Sequence, residues 1–428
     1  MAREQIAESK IHLTLAQYQE RATAANQFKG APEAIDQLRF GFFGEVGGLL
    51  SGVKKSHRDL GPAEKANVRE ELGDALWYLT TVTAEYGLRL EDVGTLALTE
   101  LQRRFGLGRE HKTVGLTFHE FDGLLAFCHT QLTTMSVGQH LCQLASHAGQ
   151  LLSRAKEQDL VGHPPLDLLG ILLADMVTVG ALFDVTIADI TKENLRKFES
   201  RWPASDAPYH PLFDGDRPSI EQFPREFSIR FIQRLTPDDK PYVVQQLNGV
   251  NIGDRLTDNR TQADGYRFHD VFHLAYVAHL GWSPVIRGLL KLKRKGDPDL
   301  DENQDGARAM IIEEGIATWI FNHADRRKFF EKTTTGKLEY GLLKQVLDMV
   351  DGYEVASCPL WQWERAILDG FKVFRELRNS GGGIVHVNMN KHTIDFEPLK
   401  EEPERDAPRR KPSVMVGAAL PPNLKKAP

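Results

Sequence analysis

Cysteine is scarce in this chain: three in 428 residues, at Cys128, Cys142 and Cys358, with no Cys-x-x-Cys pair. That excludes a disulfide framework and gives no thiolate zinc signature. No apolar run approaches the ~20 residues of a membrane-spanning helix. The first residues, MAREQIAESK, are polar and charged where a secretory leader would be apolar. Basic charge is not in excess either. The net charge of -6 and pI near 6.2 argue against general nucleic-acid affinity. What remains is an ordinary composition, 41% hydrophobic and 26% charged. The expectation is a soluble cytoplasmic protein of several domains, with no membrane partner and a homo-oligomer left open.

Helical patterning fills the first hundred residues. LTLAQYQERATAANQF carries Thr14 as an N-cap with Gln17 in the capping-box position. ANVREELGDALWYLTTVTAEYG sets Leu72, Leu76 and Leu79 on one stripe. Four such segments with short connections predict a bundle. The plan then returns: LTFHEFDGLLAFC (116–128) echoes LTLAQYQERATAA, and HAGQLLSRAKE (147–157) echoes EVGGLLSGVKK. FDVTIADITKENLRKFESRW (183–202) aligns without gaps to YGLRLEDVGTLALTELQRRF (86–105). We therefore expect a tandem repeat, 1–110 and 111–204.

PASDAPYHPLFDGDRPS reads as a Pro/Asp-rich linker, after which strand patterns appear. REFSIRFIQRL alternates Phe227, Ile229 and Phe231, YVVQQLNGVNIG holds an Asn-Gly turn, and GIVHVNMNKHTIDF reads as a further strand pair. With helical segments between, residues 205–397 are expected to be a separate α+β domain. Residues 398–428, rich in Pro, Lys, Arg and Glu, read as a disordered tail. The fold class is thus multidomain: an all-α bundle built from a tandem repeat, an α+β domain and a tail.

Two places offer chemistry. In the first, Glu71 and Asp74 are i and i+3 neighbours on one helix, and Glu45 lies on the helix before. Carboxylates from facing helices suit a hard cation such as Mg²⁺, with Mn²⁺ as a substitute. Lys54 and Lys55 would help neutralise a bound polyphosphate. The competing reading is a solvated acidic face with ordinary salt bridges.

The wording FGEVGGLLSGVKK, then EELGDALWYL, then YGLRLEDV resembles the MazG-like all-α nucleoside triphosphate pyrophosphohydrolases over residues 13–105, with a degenerate second copy over 116–202. The resemblance makes Glu71 and Asp74 the family's ExxD pair and Glu45 the first acid of its ExxE. It implies Mg²⁺-dependent hydrolysis of an NTP or dNTP to the nucleoside monophosphate and pyrophosphate, work suited to nucleotide-pool control or to stress and phage defence. Two positions depart from the pattern. Gly48 stands where the second ExxE acid would be, and Ala97 and Glu100 replace the family's Asn and Lys on the last helix. The second repeat has the opposite defects. It carries Asn194, Lys197 and Arg201, but His147 stands for Glu45. Opposite Glu71 and Asp74 come Leu168 and Ile171 in the gapless register, whereas a four-residue shift matches Asp74 to Asp175. The expectation is one composite site: Glu45, Glu71 and Asp74 from the first repeat, Asn194, Lys197 and Arg201 from the second. The alternative is a nucleotide-binding sensor without turnover, regulating the C-terminal domain.

The second place is RFHDVFHLAYVAH. His269 and His273 are i and i+4, with His279 beyond, and Glu313 and Glu314 follow some forty residues on. Such imidazoles can chelate Zn²⁺ or another transition metal, and His269, His273 and Glu314 are the candidate ligands. The pattern resembles both zincins and HD phosphohydrolases and completes neither signature. A hydrogen-bonded core helix pair without metal is the competing reading. DPDLDENQDGAR opens like a calcium loop but has Glu302 at its sixth position and Arg308 at its twelfth. KLKRK (291–295) reads as a solvated basic face.

Overall fold

A computed structural model describes residues 12–31, 33–59, 64–107, 115–132, 134–154, 164–203 and 207–399. The tail expected from residue 398 lies almost wholly outside the described residues, as do the junctions 108–114 and 204–206. The chain divides into two compact units, 1–205 and 206–428.

The first unit is helical. Its long helices are α1 (Leu15–Ala24), α2 (Ala34–Asp59), α3 (Glu64–Glu85) and α4 (Leu90–Phe105), then α5 (Phe118–Phe127), α6 (Val137–Leu152), α7 (Leu166–Leu182) and α8 (Ile187–Arg201). Local chemistry starts several of them. Thr14 and Gln17 form the expected capping box, and Thr117 with Glu120 and Ser136 with Gln139 form two more. Thr14 and Thr117 also meet in an antiparallel bridge, with Leu15 N–H donating to Leu116 O at 2.9 Å. One continuous apolar core runs through all eight helices. Helix α7 is buried almost all round, from Leu169 to Gly180 with few breaks, as its near-unbroken apolar sequence requires.

Helices α2 and α3 approach closely because α2 carries glycines on the contact face. A side chain at Gly41 would run into the Tyr78 ring, one at Gly48 into the Glu71 carboxylate, and one at Gly52 into Asn67. As the α2 numbers rise the α3 numbers fall, which is the antiparallel register that sets Glu45 beside Glu71 and Asp74.

The second unit packs helices on a five-stranded antiparallel sheet. Its strands are β1 (Glu226–Leu235), β2 (Pro241–Leu247), β3 (Val250–Leu256), β4 (Gly382–Asn388) and β5 (Thr393–Glu397), in the order β3-β2-β1-β4-β5. Ile229 pairs with Leu247 on one side and Val385 on the other. Ile229 and Phe231 are buried and Phe227 packs on the same core, as the alternation predicted. The β2–β3 turn has Asn248 and Gly249 both at positive φ, 50° and 79°, the conformation that an Asn-Gly hairpin favours. Between the sheet's two halves in sequence lie α9 (Asp270–Leu280), α10 (Ala307–Asp325), α11 (Tyr340–Met349) and α12 (Leu360–Ser380). Helices α9 and α12 pack on each other and both touch β4 and β5.

Two sequence readings change here. The Pro/Asp-rich segment is not a bare linker, because Asp214 is fully buried and accepts from Arg287 Nη2 at 3.0 Å and Arg225 Nη1 at 2.8 Å. Nor is KLKRK wholly a solvated face. Arg294 is 0% exposed and donates from Nη2 to Asp305 Oδ1 at 2.8 Å and to Glu354 Oε1 at 2.7 Å. Asp305 thus belongs to the acidic loop that resembled a calcium site, and its ligand is a guanidinium. Among the described residues no single helix is long and apolar enough to cross a membrane.

A buried charge that loses its partner is costly. Asp305→Ala is expected to destabilise the protein by about 3 kcal/mol in a denaturant titration, whereas substituting an exposed neighbour such as Asp299 should leave the midpoint unchanged.

Candidate functional site

The α2–α3 contact places three carboxylates in one half-buried patch. Glu45 and Glu71 are hydrogen-bonded to each other, which two carboxylates can do only by sharing a proton. Burial, reinforced by the nearby charges of Asp74 and Glu71, pushes the Glu45 carboxyl up to about 8. Burial also raises Glu71 above the ordinary carboxylate range.

Asp74 faces the other way, towards α8. It is ion-paired with the Lys197 ammonium and accepts from Asn194 Nδ2 at 3.3 Å. Lys197 Nζ also lies 3.8 Å from Glu70 Oε1. The Asn194 orientation is fixed from behind, because Tyr18 on α1 donates its hydroxyl to Asn194 Oδ1 at 2.7 Å. That leaves the amide nitrogen to point at Asp74. The roll of α8 is set by aromatic stacking: Trp77 on α3 stacks on Phe198 at 4.9 Å, and Phe198 on Trp202 at 5.7 Å. Phe198 follows Lys197 directly, so docking its ring on Trp77 turns the lysine towards Asp74.

Most of the expected composite set is therefore in one place: Glu45, Glu71 and Asp74 with Asn194 and Lys197. The remaining three lie differently. Arg201 is buried one turn beyond Lys197, its guanidinium 4.7 Å from the Trp202 ring centre. Lys54 and Lys55 are exposed on α2, nine and ten residues past Glu45, or about 13–15 Å along the helix axis. Tyr18 was missed by the sequence analysis. Its only signal was a buried hydroxyl on an amphipathic helix, which needs a partner that sequence does not name.

The counterpart positions form a different site. His147 Nδ1 is 2.6 Å from Asp175 Oδ2, and Arg104 Nη1 donates to Asp175 Oδ1 at 2.7 Å. This joins His147 to Asp175, the partner that the four-residue shift requires and the gapless alignment does not. Arg103 and Arg104 both hold Glu100 and draw its carboxyl down to about 2. Glu100, Arg103, Arg104 and His147 border a cavity of about 620 Å³ with Met135 and Thr178. The Glu100 carboxylate on its wall is already held by Arg103 and Arg104, so the cavity offers no open acidic cluster.

Comparison with known families bears on the second unit. Residues 208–400 match the family model of the MazG C-terminal domain. The match supplies a family for the α+β segment, which the sequence analysis left without one, and it supports a MazG-related chain. It spans the sheet and α9 to α12, not the eight helices before them. No curated protein and no solved structure matches the chain. Within the matched segment, His269, His273 and Glu314 come together, each offering one ligand atom within 4.8 Å of the others. Among the described residues this is the trio that reaches such convergence, and the bundle carboxylates do not. His279 stands apart, its Nε2 2.9 Å from Asp369 Oδ2.

Two outcomes are expected for the carboxylate patch. Gly48→Ala adds a methyl where the Glu71 carboxylate now sits, 2.3 Å from Oε2. Because that carboxylate is the end of a flexible side chain, it swings aside. Thermal stability should hold or rise by up to ~1 kcal/mol from helix propensity, while divalent-cation binding, read by calorimetry, weakens. Glu45 binds a proton in the folded, metal-free protein that the unfolded chain releases at ordinary carboxyl pH. Stability should therefore fall as pH rises from the ordinary carboxyl range to about 8. Glu45→Gln should flatten that slope in melts compared at about pH 6 and about pH 9.

Proposed function

We propose that the helical unit is a Mg²⁺-dependent nucleoside triphosphate pyrophosphohydrolase with a single composite site. The observation that carries this reading is the contact of Asp74 with Lys197 and Asn194, directly beside the Glu45–Glu71 pair. Residues from distant parts of the sequence, expected to share a site on resemblance alone, meet around one carboxylate.

The donor set fits a hard divalent cation. It is all oxygen, three carboxylates from facing helices, and a bound cation would take the place of the positive charge that the shared proton and the Lys197 ammonium now supply. Glu45, Glu71 and Asp74 would hold the ion. When bound, it polarises the phosphoryl oxygens and acidifies the attacking water. The chain's own groups do the rest. Without the ion Glu45, with its carboxyl raised to about 8, carries a proton near neutral pH that a bound cation would displace. Lys197 and Asn194 present donors to phosphate oxygens once Asp74 turns to the cation. Tyr18 keeps the Asn194 amide aimed. Water adds to the α-phosphorus, the α–β bridging bond breaks, and NMP and pyrophosphate leave. The MazG C-terminal match in the same chain supports a nucleotide-related role.

A second reading, a nucleotide sensor without turnover, is favoured by one observation: the acids are already neutralised, with Asp74 paired to Lys197. Incubation with each NTP and dNTP plus Mg²⁺ separates the two. Pyrophosphate release supports the enzyme, and binding without release supports the sensor. For the enzyme, Glu71→Gln and Lys197→Ala should each lower kcat/KM by roughly 10²–10³. An Lys197→Ala protein with undiminished turnover would remove α8 from the site.

A further inference from the structure

We propose that the MazG C-terminal domain holds a divalent transition-metal ion, Zn²⁺ being the best fit, on His269, His273 and Glu314. The preparation of the two imidazoles is the first argument. His273 Nδ1 is 2.8 Å from Glu313 Oε1, and His269 Nδ1 is 2.9 Å from the Tyr266 carbonyl oxygen. A metal-binding histidine typically donates its far N–H to a carboxylate or a carbonyl, which fixes the ring and directs the other nitrogen's lone pair at the ion. Both histidines have that arrangement, with Nδ1 engaged and Nε2 turned inward.

Glu313 is itself held firmly. It is fully buried and accepts from Ser283 Oγ at 2.6 Å and from Val285 N–H at 2.8 Å. Tyr266 stacks flat on His269, ring centres 4.3 Å apart and planes at 1°. The rings are therefore immobilised by groups that take no part in ligation.

Spacing is the second argument. His269 Nε2 and His273 Nε2 lie 3.6 Å and 3.5 Å from Glu314 Oε2. Ligands at the usual zinc distances in a tetrahedron are separated by about 3.4 Å. These separations are too long for good hydrogen bonds and suited to a shared ion. His273 Nε2 is also buried without a hydrogen-bond partner, an orphan in a fully buried residue. Asp270 Oδ1 lies 3.0 Å from His269 Nε2 at the edge of the trio, and Gln245 Nε2 steadies its other oxygen at 2.8 Å. Two imidazoles exclude Mg²⁺ as the preferred occupant and select a borderline cation. The fold supplies the rest: His269 stands at the N-cap of α9 with His273 one turn into that helix, and α10 presents Glu313 and Glu314 as adjacent residues with different tasks.

The test uses the full chain, stripped with a chelator and titrated with Zn²⁺ by calorimetry, with metal content measured after gel filtration. One equivalent of Zn²⁺ should remain bound. Glu314→Gln, at a half-exposed position that tolerates substitution, and His269→Gln should each weaken binding at least tenfold. Glu71→Gln, in the helical unit, should bind Zn²⁺ like the wild type. Wild-type protein that retains no Zn²⁺ overturns the proposal. So does unchanged affinity in both ligand variants, or loss of Zn²⁺ in Glu71→Gln but not in Glu314→Gln.

Discussion

Like charges packed between two helices repel, and in the helical unit that repulsion organises what surrounds it. Glu45, Glu71 and Asp74 are held together because α2 and α3 approach closely at Gly41, Gly48 and Gly52. Taking carboxylates from water raises their energy, and each added acid worsens it for the others. The protein answers in two ways. Glu45 and Glu71 share one proton, and Asp74 is handed to Lys197 and Asn194 on α8. Tyr18, Trp77 and Phe198 serve that second arrangement by setting where α8 lies and how its amide points.

The C-terminal domain treats buried charge differently. Arg287 and Arg294 are nearly inaccessible, and their pairing is closed by Asp214, Asp305 and Glu354. Every member has a partner of opposite sign, so the cluster is fit for architecture. At His269, His273 and Glu314 the groups are instead ordered from outside and left open towards one another. The same types of residue produce a brace in one place and a cradle in the other. What differs is whether the inner-facing atoms are satisfied.

Sequence revealed the parts that depend on local spacing. Glu71 and Asp74 share a face because helices place i and i+3 together, and the Asn248–Gly249 turn followed from backbone preference. The capping box at Thr14 is of the same kind. Spacing also brought His269 and His273 into view. What stayed hidden depended on partners remote in sequence. Gly48 looked like a missing acid. In the fold it is the room that the Glu71 carboxylate occupies. Asp305 looked like a failed calcium ligand until its guanidinium partner was visible. Sequence named Glu314 as the ligand but gave Glu313 no task, and the direction each faces on α10 separates orienting group from ligand.

The Asp74–Lys197 contact joins residues 123 positions apart on one polypeptide. Its two halves cannot be separated by dilution, since a tether fixes their effective concentration whatever the amount of protein present. It also imposes an order on biosynthesis. A chain growing from its N-terminus presents the three carboxylates before α8, and with it the lysine and amide partners of Asp74, has been made. Asp74 thus acquires its ammonium and amide partners only with the last helix of the unit.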